Sequence, residues 1–133
     1  MLKEQTVELS FGDFSRTYVL KQLPLAKSQE VLVKLLGLLG GAEGLSENLL
    51  AALPGRLRVE DINFFRERLF GESCLYVNES GNHVPMGKAL VESHFEGRLG
   101  LMLHLIVRSV ILNFADFLAD LRLDDLVGAK AGE

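Results

Sequence analysis

The sequence predicts an α+β fold, mostly α, in which an N-terminal β-hairpin leads into a small helical bundle. A second short β-hairpin is inserted before a long C-terminal helix. Three observations carry this expectation. Two runs near the N-terminus alternate polar and apolar residues with the period of a half-buried strand. Later, LAKSQEVLVKLLGLLGG and the stretch around HLIVRSVILNFADFLADL return apolar residues every three or four positions, the spacing of one helix face. Between them, SCLYVNESGNHVPM sets two extended pieces around an Asn/Ser/Gly turn.

In chain order, Gln5 to Ser10 and Phe14 to Lys21 are the first two strands, and Phe11-Gly12-Asp13 supplies the turn. Glycine accepts positive φ there, and aspartate can bond neighbouring amides. Leu23-Pro24 ends the second strand, because proline has no ladder donor and suits a helix start. The first helix follows, with Val31, Leu32, Leu35, Leu36, Leu38 and Leu39 at helical spacing and Gly40-Gly41 as its stop. Gly37 lies inside it, either to admit a close neighbour or by plain tolerance. Ser46 caps a short helix that Pro54-Gly55 ends. Val59 to Phe70 is the next helix, with Glu60 and Asp61 where its N-terminal amides favour negative charge, and Gly71 closes it. Cys74 to Val77 and His83 to Met86 form the second hairpin through Asn78 to Asn82. Lys88 onward is helical again, with Gly97 and Gly100 as interruptions, and the final helix runs from near Arg98 to about Asp120. Residues 1–127 are expected to form one domain, with 128–133 a frayed tail.

The final helix comes near the roughly 20 apolar residues of a membrane span. It also carries His104, Arg108, Asn113, Asp116 and Asp120. Ionised groups at bilayer depth cost about 2.5–3.5 kcal/mol each, which disfavours spanning. Opposite these polar positions, Leu103, Val107, Val110, Phe114, Phe117 and Leu121 follow one another at steps of four and three, the seam by which helices pack. Ile106, Ile111 and Leu118 widen the stripe. The leucine face of the first helix is the expected cover. Two uses remain open: the helices bury each other, or part of the stripe meets a partner or a second copy. The candidate contact residues are Val107, Val110, Phe114, Phe117 and Leu121, with Leu35, Leu38 and Leu39.

The totals bound the function. Hydrophobic residues at 48% against 24% charged exclude a disordered chain. A net charge of -4 and scattered Lys and Arg leave no footprint for nucleic acid. Cys74, the single cysteine, has no disulfide partner in the chain, and MLKEQTVELS lacks an apolar signal core, so cytoplasmic residence is expected.

No catalytic pattern emerges. His83, His94 and His104 lack the spacing of compact metal motifs. His94-Phe95-Glu96 is not followed by the Pro-Cys-x-x-Cys that a zinc deaminase needs. Cys74 reads as a small buried hydrophobe, and Asp124-Asp125 as a solvated pair. Gly37, Gly40 and Gly41 have neither the order nor the Lys-Ser/Thr ending of a phosphate loop. No catalytic residue, metal or cofactor is expected.

Three words in fixed order, VELSFGDFSRTYVLKQLP, KSQEVLVKLLGLLGG and HFEGRLGLMLHLIVRSVILNFADFLADL, resemble the small tail assembly chaperones of long-tailed bacteriophages. In such proteins a strand pair passes through a Leu-Pro step into a helix. A late helix closes on an Asn-Phe-x-x-Phe type ending, here Asn113-Phe114-Ala115-Asp116-Phe117. The resemblance implies a non-enzymatic factor of the host cytoplasm that binds the tape measure protein and recruits tail tube protein. An apolar groove would suit the long, helical tape measure. The competing expectation is a structural tail component, a terminator or completion protein, retained in the virion as a ring-like homo-oligomer.

Overall fold

A computed structural model of the chain describes residues 3–11, 14–39 and 53–114. Strands β1 (Glu4–Phe11) and β2 (Phe14–Lys21) pair antiparallel, with Phe11 opposite Phe14. The expected turn at Gly12-Asp13 lies outside the described residues. β3 (Gly71–Val77) and β4 (His83–Met86) form the second hairpin. Its turn is held by Asn78, whose Oδ1 accepts the N–H groups of Ser80 and Asn82 at 3.0 and 2.9 Å. Gly81 takes φ +81°, a conformation that favours glycine.

The two hairpins are one sheet. β2 pairs antiparallel with β3, from Thr17 opposite Val77 to Leu20 opposite Cys74, giving the order β1-β2-β3-β4. An isolated hairpin is marginal in water, and joining two gives both inner strands neighbours on each side. Directly opposed residues share a face. Val7, Tyr18 and Tyr76 therefore lie on one side with Leu20 and Cys74, and Val7, Tyr18, Leu20 and Cys74 are buried in the core. Val19 and Leu75 oppose each other on the other side.

Helix α1 (Leu25–Leu39) starts directly after Pro24, whose carbonyl accepts the Ser28 N–H at 2.9 Å. The expected stop at Gly40-Gly41 and the short helix from Ser46 fall on residues 40–52, outside those described. The described chain resumes in a 3-10 turn, Leu53–Arg56, with Leu53 fully buried. α2 (Val59–Leu69) carries Glu60 and Asp61 in its first turn, and Asp61 Oδ2 accepts the Arg58 N–H at 2.9 Å. One of the amides left open at the helix start is thereby satisfied.

α3 (Lys88–His94) is short, and Gly97 at φ +74° separates it from α4, which is helical over residues 99–114. Gly97 interrupts the helix, as the sequence suggests. Gly100 does not, since it lies within α4. The architecture is α+β and mostly helical, with a hairpin at each expected place and the long helix last. Among the described residues, side chains from the sheet and from each helix meet in one core that includes Tyr18, Leu35, Phe65, Met86, Val91 and Leu105.

Candidate protein-binding surface

Two of the short words in the sequence meet in space. The Leu23 N–H, at the Leu-Pro step, donates to Asn113 Oδ1 at 2.7 Å. Asn113 Nδ2 donates to the Ser109 carbonyl at 2.7 Å, which fixes the amide's orientation. Beside it, Gln22 Nε2 donates to the Leu112 carbonyl at 3.2 Å, while Gln22 Oε1 accepts the Lys3 N–H at 3.0 Å. The exit of the first hairpin is thus fastened to the last described turn of α4. Asn113, expected on the water-facing half, is instead half-buried, with its side chain bonded to the Leu23 N–H.

The buried face of α4 agrees with this placement, being Leu101, Met102, Leu105, Ile106, Ser109, Val110 and Phe114. Leu103 and Val107, expected at the seam's centre, are half-buried at its margin. The helix is rotated from the expected seam by about one residue's turn, roughly 100°. Among the candidate contact residues, Leu35, Val110 and Phe114 belong to the chain's own core, and Val107 and Leu38 are partly buried against it. Phe117 and Leu121 lie outside the described residues, as does the side chain of Leu39.

α1 carries more apolar surface than the core uses. Val31 and Leu35 are fully buried, Leu32 and Leu36 are half-buried, and Leu25 and Val33 are 76% and 69% exposed. Leu25, Leu32, Leu36 and Val33 fall along one flank of the helix at 100° per residue. The sequence reading took the leucine face as a cover for the final helix and did not single out Leu25 or Val33. The apolar arc of α1, wider than one contact needs, was the available signal.

On its other side α1 is tied to α2. Lys34 Nζ stands 2.6 Å from Asp61 Oδ1, and Arg68 Nε donates to Glu30 Oε2 at 2.7 Å. Both cations also lie over the Phe64 ring, Arg68 at 3.9 Å and Lys34 at 5.5 Å from its centroid. Lys34 and the Arg58 N–H hold the Asp61 carboxyl below the usual carboxylate range, against the opposing pull of burial. A groove of about 680 Å³ opens where α2, α3 and the second hairpin meet, with Phe70, Met86 and Val91 among its apolar lining and Arg66, Glu72 and Lys88 among its charged one.

Polar side chains also lie in or against the core. Tyr18, fully buried, shares a 2.6 Å hydrogen bond with His94 Nε2, and the His94 ring lies tilted against Tyr76 with ring centroids 4.7 Å apart. Burial lowers the His94 pKa, and the charges of Arg98 and Arg16 add to that. The neutral ring is thereby favoured, and Tyr18 and Nε2 share one proton in their hydrogen bond, the donor being set by the ring's tautomer. Cys74 is buried and its thiol is pushed up to about 12, so it stays protonated. Among the described residues, no three His, Cys, Asp or Glu side chains converge to hold a metal ion.

A family model for phage tail assembly chaperone protein, TAC, matches residues 12–124. The chain belongs to this family. The matched span begins after β1 and includes both halves of the Leu23–Asn113 clamp, the apolar flank of α1 and all of α4. No curated protein and no solved structure matches the chain. The chaperone's described helices include none long and apolar enough to cross a membrane.

Proposed function

We propose that this tail assembly chaperone acts without catalysis in the host cytoplasm, binds the tape measure protein and helps recruit tail tube subunits. The supporting observation is the apolar flank of α1, where Leu25 and Val33 stand exposed beside half-buried Leu32 and Leu36. Exposed apolar side chains along one helix flank suit an amphipathic helical partner. Leu38 and Val107, half-buried against the core on other faces, are assigned a partner contact as well, as are Phe117, Leu121 and Leu39. Leu35, Val110 and Phe114 back the surface from within the core. The acidic charge of the chain helps keep the complex dispersed.

The test is co-expression of the full chain with the tape measure protein encoded in the same phage. Soluble tape measure should rise with the chaperone present. The double variant Leu25→Asp with Val33→Asp should lose that effect while keeping the wild-type melting temperature, because both side chains already face water. A tape measure equally soluble without the chaperone defeats the reading. Recovery of the chain from purified virions by mass spectrometry would favour a structural tail component instead.

A further inference from the structure

The sheet has two edges, and they differ. β4 is four residues long and contains Pro85, which has no N–H to offer an incoming strand. β1 spans eight residues, Glu4 to Phe11, without proline, and among the described residues no strand lies beyond it. Its register fixes which groups are open. The Lys3 carbonyl accepts the Gln22 N–H at 2.9 Å, so Lys3 and Gln22 are a hydrogen-bonded pair. In an antiparallel ladder such pairs alternate. Gln5, Val7 and Leu9 therefore direct their backbone groups to β2, and Glu4, Thr6, Glu8 and Ser10 direct theirs outward. All four of these residues are exposed.

We propose that this edge takes up an extended, basic segment of another protein as a fifth strand. The choice of occupant follows from charge. The side chains of Glu4, Thr6, Glu8 and Ser10 share the sheet face away from the core, so both carboxylates border the open edge. Glu4 already lies 3.9 Å from Lys21 on the inner side. A strand with Lys or Arg at two positions four residues apart would meet both glutamates while its backbone completes the ladder. A second copy fits worse. Self-pairing centred on Val7 would complete the backbone bonds but crowd the glutamates of both copies together, in a chain already at -4. The same carboxylates that discourage self-association select a basic strand. The inference is read from β1 alone and does not rest on tape measure binding.

The experiment uses the full chain and a synthetic ten-residue peptide of alternating threonine and valine, with lysine at two threonine positions four apart. A matched peptide carries glutamate there instead. Amide hydrogen exchange by NMR should slow at Glu4, Thr6, Glu8 and Ser10 with the lysine peptide and stay unchanged with the glutamate peptide. Thr6→Pro removes an outward donor and no bond to β2, so it should abolish binding with the fold intact. Glu8→Lys, which keeps every backbone group, should weaken binding about tenfold, and it remains informative if the proline variant fails to fold. Unchanged exchange at those amides, equal binding of both peptides, or wild-type affinity in Glu8→Lys would overturn the proposal. So would a β1-mediated dimer of the free chain in sedimentation.

Discussion

Asn113 on α4 accepts the backbone N–H of Leu23 at 2.7 Å, across 90 residues of sequence. Leu23 is 3% exposed, so in the intact fold its N–H relies on that acceptor. Asn113→Ala should therefore destabilise the chaperone by about 1–3 kcal/mol, the cost of a buried donor left unpaired. Urea denaturation checks this, and a cost below a few tenths of a kcal/mol would show that the clamp contributes little.

The Lys34–Asp61 pair makes acid sensitivity specific. Folding lowers the Asp61 pKa below its ordinary 3.8, chiefly through the Lys34 hydrogen bond. Its contribution is complete above that ordinary value and is lost as pH falls through the lower folded one. Asp61→Asn should flatten the stability profile in that acid window. Lys34→Met leaves a carboxylate only 5% exposed without its cation and should cost roughly 1–3 kcal/mol at pH 7, since Lys34 itself is partly solvated.

His94 acts at milder pH. Burial lowers its pKa in the fold, so the neutral ring's contribution is present above about 6.5 and declines as pH falls through the folded value. His104 shifts in the same direction, through burial and then Arg108. The melting temperature of the wild type should drop between neutral and mildly acid pH, and His94→Gln should reduce that drop without removing it. A His94→Gln profile parallel to wild type would exclude the ring as the titrating group.

Phe114 and Gly37 give opposite signs. Phe114 is 3% exposed, and Phe114→Ala should cost about 3–5 kcal/mol, so any loss of partner binding in that variant reports unfolding. Gly37 sits mid-helix, and a Cβ built there meets nothing within 4 Å. Gly37→Ala should therefore stabilise by roughly 0.5–1 kcal/mol in thermal denaturation, by relieving helix entropy. The glycine makes no room for a close neighbour.

The sequence alone determined what depends on nearest neighbours along the chain. Period-two alternation set β1 and β2, the Asn/Gly turn set the second hairpin, and Leu-Pro set the start of α1. The three words that carried the family resemblance needed no coordinates either. Tertiary structure decided what depends on distant partners. It joined the hairpins through β2 and β3, tied α1 to α2 through Lys34–Asp61, and turned α4 so that Asn113 reached Leu23. Periodicity states that a helix has an apolar side but leaves its rotation free by a residue. Here the packing of Leu101, Met102, Leu105, Ile106, Val110 and Phe114 into the core, together with the Asn113–Leu23 hydrogen bond, fixes that freedom and decides which apolar residues are core.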